Sequence, residues 1–245
     1  MNEKTFMVVI PARLNSSRLP EKVLEDIHGR PMIYWVAKRV ISAKLARVVV
    51  ATDSDKVLKV CTHFEIPVVM TSTECKNGTE RVYEASKNFL DVDYFINVQA
   101  DEPLINTEVI RDVMSAPINP HSFYTAVSPI KFAENNPSEI KVALGGNNRI
   151  RFASRSLIPY SRDGINKHYK IHGVYLYSRE ILSSYIAKKP GDLELMENVE
   201  QLRCIEHDIP IFGIKTSPTE RSVDTIDDLN YMKKMPKSDF ASGID

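Results

Sequence analysis

The chain has 245 residues, with 32 Lys plus Arg against 32 Asp plus Glu and a formal net charge of zero. That length suits one α/β domain with a sizeable core or two small ones, and the balanced charge removes any global pull toward nucleic acid or an anionic membrane, so an anion site must be local. Cys61, Cys75 and Cys204 are far apart, odd in number and without metal-ligand or CxxC spacing, no apolar run is long enough to cross a bilayer, and MNEKTF leads straight into the first strand-like run; a soluble, unprocessed cytoplasmic protein is expected.

Met7 to Ile10, MVVI, is a β-branched apolar run bounded by Pro11, which reads as a buried strand. A polar loop follows, and Met32 to Lys44 then spaces Met32, Ile33, Trp35, Val36, Val40 and Ile41 as a helix before RVVVAT, a second strand. A helix over Asp53 to Phe64, a strand IPVVM, a helix over Glu80 to Leu90 and a strand YFINVQ continue the alternation. Strands separated by helices imply a mostly parallel central sheet. After Pro103 the pattern changes to a short helix near Val109 to Met114 and the strand-like runs FYTAVSPI, EIKVALG, RIRFAS and YKIHGVYLYS, a mixed-sheet extension. Ser178 to Ala187, Met196 to Cys204 and Asp224 to Met235 read as helices with the strand IPIFGIK between the last two, and KSDFASGID reads as a frayed tail. The organisation expected is one α/β domain with an embedded lobe, divided as 1–117, 118–223 and 224–245.

The loop after the first strand, PARLNSSRLPEKVL, carries Arg13, Arg18 and Lys22 with Ser16 and Ser17. Open α/β sheets bind ligands at the carboxyl ends of their strands, and guanidinium and ammonium groups there suit the oxygens of a triphosphate. A merely solvated basic loop is the plain alternative. Neither GxxxxGK[ST] nor GxGxxG is present, so side chains would hold most of the phosphate. NVQADEPL brings Gln99, Asp101 and Glu102 to the same end of the sheet, where a carboxylate beside a triphosphate makes sense with Mg²⁺ between them. An acidic helix cap would explain the same residues. In SVDTIDDL, Asp227 and Asp228 read as such a cap behind Thr225. In KNGTERVYEA, a glycine turn with a threonine cap accounts for Gly78 and Thr79.

The first loop, PAR-x-x-S-S-R-L-P-x-K-x-L-x-x-I-x-G-R-P-M-I here, resembles the cytidylyltransferases that activate 3-deoxy-manno-octulosonate (Kdo), and the resemblance runs from Val8 to Leu229 with motifs in family order. It implies a Rossmann-like nucleotidyltransferase fold. The reaction implied is CTP plus Kdo giving CMP-Kdo and pyrophosphate, for lipopolysaccharide or capsule precursors, with Mg²⁺ as cofactor and a homodimer joined through the strands after Phe123. Residue by residue, it implies that Pro11, Ala12, Arg13, Arg18, Lys22, Gly78, Thr79 and Arg81 bind the nucleotide. Asp101 and Asp224 would hold the metal and, with Lys22, do the catalytic work. Gln99, Arg155 of RFASRSLIPYSR, Tyr175, and Glu200 and Gln201 of ENVEQLRCIE would bind the sugar, although the last two are equally readable as solvent-facing.

This chain departs from the family at four places. Ala100 and Glu21 replace usual glycines, tolerable unless φ is positive there, and Leu14 replaces a common tyrosine. The family's K-H-x-G-[IV]-Y is here K-I-H-G-V-Y, which puts Ile171 where a sugar-contacting histidine stands and moves the imidazole to His172. In a strand that shift turns the side chain to the opposite face, so His172 cannot simply replace that histidine, and an altered 3-deoxy-ulosonic acid is the sugar this departure allows. A metal-dependent glycosyltransferase and a CTP-binding, non-catalytic homologue are the rival readings.

Overall fold

The structure is a computed structural model that describes residues 4–14, 19–130, 136–164, 167–217 and 221–244. It divides into two compact units: the first holds residues 1–110 and 219–245, the second 111–218.

Unit 1 begins with β1 (Phe6–Pro11), a single turn of 3₁₀ helix (Lys22–Leu24), and the short strands β2 (Asp26–Ile27) and β3 (Arg30–Pro31). His28 and Gly29 both have positive φ, 56° and 82°, which lets two residues close this hairpin. There follow α1 (Met32–Ser42), β4 (Arg47–Thr52), α2 (Asp55–His63), β5 (Val68–Met70), α3 (Gly78–Ser86), β6 (Tyr94–Val98) and α4 (Thr107–Ser115), which carries the chain into unit 2. The strands lie in the order β6-β1-β4-β5, each neighbouring pair parallel, with Val8 opposite both Val48 and Ile96. Val8, Val9, Ile10, Val50, Phe95 and Ile96 are fully buried, as the continuous apolar runs of a sheet covered on both faces require. The loops after β1 and β6 therefore leave from the same end of the sheet.

Unit 2 contains β7 (Phe123–Pro129), β8 (Lys141–Leu144), β9 (Ile150–Ser154), β10 (Tyr169–Ser178), α5 (Arg179–Ile186), α6 (Asp192–Glu197), α7 (Leu202–Glu206) and β11 (Ile211–Lys215). Here β11 pairs with β7 in parallel, while β7–β10, β10–β8 and β8–β9 are antiparallel. The mostly parallel sheet and the mixed extension are thus both present. The expected helix over Met196 to Cys204 is broken: α6 ends at Asn198, whose φ of 51° is left-handed, and α7 starts afresh at Leu202. A buried, two-pronged ion pair ties the pieces, Arg203 donating from Nε and Nη2 to Glu194, both at 2.7 Å.

The chain returns to unit 1 through α8 (Ile226–Lys234) and ends in α9 (Lys237–Ala241). The frayed tail expected from KSDFASGID is instead a short docked helix. Phe240 is fully buried in one apolar cluster with Trp35, Leu229 and Met232, its ring 5.4 Å from that of Trp35. Arg39 donates to the carbonyls of Asp239, Phe240 and Ser242 at 2.8, 3.0 and 3.1 Å, which satisfies the end of the helix. Among the described residues no helix is long and apolar enough to cross a membrane.

Candidate nucleotide and metal site

The 3₁₀ turn at Lys22–Leu24 opens on Glu21, which sits in the left-handed region with φ 53°. This is the position where a glycine is usual, and the side chain tolerates it with an exposed ion pair, Lys56 Nζ to Glu21 Oε1 at 2.5 Å. Left-handed backbone costs a residue with Cβ about 1 kcal/mol or more, and an exposed pair returns at most about 1 kcal/mol. Glu21→Gly is therefore expected to be neutral or up to about 1 kcal/mol more stable, and Glu21→Val to lose roughly 1–2 kcal/mol. Urea melts of the two variants check this, and a Val variant as stable as the Gly one would contradict the strain. Ala100 is not among the residues of positive φ, so that replacement carries no such cost.

The turn aims Lys22 at two acids from distant parts of the chain. Its Nζ donates to Asp101 Oδ2 at 2.7 Å and lies 3.4 Å from Asp224 Oδ1. Asp101 comes from the loop after β6 and Asp224 from the segment before α8, and the backbone joins them directly, since Val223 N–H donates to the Asp101 carbonyl at 2.9 Å. Below them Leu19, Leu104 and Val223 share the cluster that holds Trp35 and Phe240. Burial pulls the Lys22 ammonium down, but the Asp101 and then the Asp224 carboxylate more than offset it, so its pKa is raised above the ordinary lysine value and it stays charged.

Asp228 is the cap that its position implied. Thr225 and Asp228 form a reciprocal capping box at α8, and Asp228 Oδ2 also accepts from the Asp224 N–H at 3.0 Å. Burial works to raise the Asp228 carboxyl, and its hydrogen bonds from Thr225 and Asp224 with the Arg221 charge outweigh that and hold it below the ordinary range. Asp227 is exposed. The capping work thus falls to Asp228, and the Asp224 carboxylate is turned to Lys22.

On the nucleotide side, Pro11 ends β1, Ala12 is buried with its N–H on the Ala51 carbonyl at 2.8 Å, and Arg13 is exposed with Nη1 3.4 Å from the Lys76 carbonyl. Arg18, Ser16 and Ser17 lie outside the described residues. The cap of α3 is Asn77, whose side chain accepts from Glu80 N–H at 2.8 Å, and not Thr79, which is fully buried inside the first turn. That helix N-terminus, beside the carboxyl end of β1, favours an anion or a base edge. Gly78 gives a close approach: a Cβ there would stand 3.2 Å from Asn97 Nδ2 and 3.4 Å from Pro11 Cγ, a tight fit that those side chains would have to yield to. Sequence reasoning passed over Asn97, whose amide is buried with neither polar atom paired among the described residues; an Asn inside an apolar strand was the available signal. Arg81 is 2% exposed and already engaged, with Nη2 on Asp53 at 2.8 Å and Nη1 on Thr71 Oγ1 at 2.6 Å. As described, it braces the segment before α3 rather than presenting a free fork.

Of the residues expected at the sugar, Gln99 is in unit 1, directly after β6, and the others are in unit 2. Arg155 is spread over backbone carbonyls: Nε on Glu197 at 2.7 Å, Nη1 on Pro137 at 2.8 Å and Nη2 on Asn198 at 2.9 Å. The rest of its N–H groups are what it has for a carboxylate. Glu197 also accepts from Ser154 Oγ at 2.6 Å, the main reason its carboxyl is held below the usual range. Lys141 is buried with its ammonium on the carbonyls of Asn136, Glu139 and Arg155. Tyr175 is 3% exposed, beside Phe123. Gln201 is 1% exposed, so the solvent-facing alternative does not describe it, while Glu200 is half-buried.

His172 is buried with Nε2 2.7 Å from Ser128 Oγ, and burial, with the Lys170 charge second, pushes the imidazole down to about 4. It is neutral at pH 7. The pairing of β10 with β7 slips between Ile171 and Tyr175. Across such a bulge strict alternation fails, so the face of His172 does not follow from counting residues.

A parallel sheet with a basic turn and two acids gathered at its carboxyl end suits a nucleotidyltransferase, and comparison with known proteins gives that class. A family model described as cytidylyltransferase matches residues 7–211. The 3-deoxy-manno-octulosonate cytidylyltransferase of Lawsonia intracellularis is 37% identical over 92% of this chain and 91% of its own, and that of a Nitratiruptor species is 38% identical over 96% and 100%. A solved structure of CMP:2-keto-3-deoxy-manno-octonic acid synthetase complexed with CTP superposes with a TM-score of 0.85 at 34% identity, covering 94% of this chain and 97% of that one. The chain belongs to the 3-deoxy-manno-octulosonate cytidylyltransferase family.

Proposed function

We propose that this enzyme transfers the cytidylyl group of CTP to the anomeric hydroxyl of a 3-deoxy-ulosonic acid, Kdo or a close analogue, and releases pyrophosphate. The observation that carries the reading is the convergence of Asp101 and Asp224 on one cation at the end of the parallel sheet. Two carboxylates are a hard-oxygen donor pair that suits Mg²⁺, whose shell phosphate and water oxygens would complete; among the described residues no group of three or more His, Cys, Asp and Glu is placed to hold a metal. Held by Asp101 and Asp224, Mg²⁺ would neutralise charge at the α-phosphate and make the sugar hydroxyl a better nucleophile.

The chain's own part is positioning and charge. Lys22 and Arg13, with Arg18, bind the phosphates, and Lys22 is assigned to the outer ones that leave as pyrophosphate. Pro11, Ala12, Gly78 and Thr79 line the approach of the nucleotide, with Arg81 holding Asp53 and Thr71 behind them. Arg155 meets the sugar carboxylate through N–H groups not committed to carbonyls, and Gln99, Tyr175, Glu200 and Gln201 serve the sugar. No protein nucleophile is required, because the sugar hydroxyl itself attacks phosphorus. We further propose a cytoplasmic homodimer.

The test is steady-state pyrophosphate release with CTP against Kdo and against analogues altered at the carbons farthest from the carboxylate. With Ile171 in place of an imidazole, a donor at that position is missing, and a site without a specific donor discriminates weakly. The expected kcat/KM for Kdo is below that of one analogue or within about tenfold of it, a difference of ~1.4 kcal/mol. A preference for Kdo above a hundredfold over all analogues would show that His172 or another donor makes the contact. Absence of pyrophosphate with every acid would overturn the reading itself.

A further inference from the structure

The pair of carboxylates assigned to the metal already holds a cation, and that cation belongs to the chain. The Lys22 ammonium lies 2.7 Å from Asp101 and 3.4 Å from Asp224, and the three side chains are only 12%, 16% and 17% exposed. Taken by themselves, these two carboxylates and one ammonium sum to −1. Exchanging the ammonium for a divalent ion would bring the sum to zero, whereas adding the ion beside it would make +1 in a partly desolvated place, with two cations within about 4 Å of each other. The two therefore compete for the same oxygens.

Exchange is mechanically easy. The turn keeps its backbone, with Lys22 N–H on the Leu19 carbonyl and Glu25 N–H on the Lys22 carbonyl, while the four-carbon stem can swing the ammonium away. A triphosphate is the ligand with enough charge to draw it off.

We propose that Lys22 is a built-in counter-ion of the metal site, so that Asp101 and Asp224 take up a divalent cation readily only when a triphosphate has drawn the ammonium away. This rests on the reading of those two aspartates as the metal ligands of cytidylyl transfer. Linkage makes the effect reciprocal: metal and nucleotide each strengthen the binding of the other through Lys22. The ligand-free enzyme then does not collect tightly bound divalent ions.

The experiment measures Mn²⁺ binding to the full chain without nucleotide, by the spin-resonance signal of free Mn²⁺, for the parent, Lys22→Met, Lys22→Gln and Lys22→Met combined with Asp224→Asn. Loss of the ammonium is expected to tighten Mn²⁺ by at least about fivefold, to make Tm rise with Mn²⁺ where the parent's does not, and to have no such effect once Asp224 is amidated. Lys22→Gln covers the case in which Lys22→Met does not fold, since its amide can still donate to Asp101. Less than fivefold tightening in the variants that fold, or tightening that survives Asp224→Asn, overturns the proposal. Failure of the cytidylyl reading is seen separately, as parent protein that releases no pyrophosphate.

Discussion

Asp101→Asn and Asp224→Asn should each lower kcat for pyrophosphate release by roughly a thousandfold or more at saturating CTP and Kdo. An amide is a poor ligand for a hard divalent ion, and with either acid neutralised the leaving pyrophosphate loses its counter-charge. The fold should survive, because Lys22 keeps the other carboxylate in each variant and the backbone bond from Val223 to Asp101 is untouched. The stability loss expected is about 1–3 kcal/mol, that of one hydrogen bond to a charged group. Asp227→Asn, an exposed neighbour, is the control and should retain parental activity. Activity within tenfold of the parent for either main variant would remove that residue from the proposed metal site.

How much of this was legible beforehand depended on what each feature is made of. The parallel strands were legible because buried strands are continuous β-branched runs, and MVVI, RVVVAT and YFINVQ became β1, β4 and β6 within a residue or two. The meeting of Asp101 with Asp224 was not readable from spacing. It depends on a backbone bond between segments far apart in the chain, and only the family resemblance pointed to it. That Asp101 and the basic loop share one end of the sheet was legible, but a direct ion pair from Lys22 to both acids was not, since the loop's cations were assigned to phosphate.

Other differences have local causes. Thr79 looked like a cap because it follows a glycine, yet Asn77 two residues earlier satisfies the helix start. The helix expected over Met196 to Cys204 failed at Asn198, one of the few residue types that enters the left-handed region readily. The face of His172 does not follow from alternation, because the pairing of β10 with β7 slips between Ile171 and Tyr175, for which Gly173 is the one sequence hint. The partners that engage Arg155 and Arg81 were not legible either, because those carbonyls and acids come from segments that no pattern connects.

Phe240→Ala should remove about 3–5 kcal/mol of stability, although it lies in a segment that reads as a frayed tail. α9 has five residues, too few to hold as a helix alone, and a single large apolar side chain gives no periodicity to detect. What holds it is tertiary: Phe240 is fully buried beside Trp35 and His28, at ring separations of 5.4 and 5.2 Å, in the cluster that includes Val223, Leu229 and Met232. Removing the ring leaves a cavity under α8, and the Arg39 bonds to the last carbonyls lose the anchor that orders them. Since the same cluster supports the segment that presents Asp224, the damage should reach the site as temperature rises. At 25 °C kcat should stay within a fewfold of the parent, because Val223 still pins Asp224 beside Asp101, and activity should then fail at a lower temperature than in the parent. Urea melts followed by far-UV circular dichroism, with activity measured across temperature, test both parts; a loss below about 1 kcal/mol would mean that α9 is not part of the core.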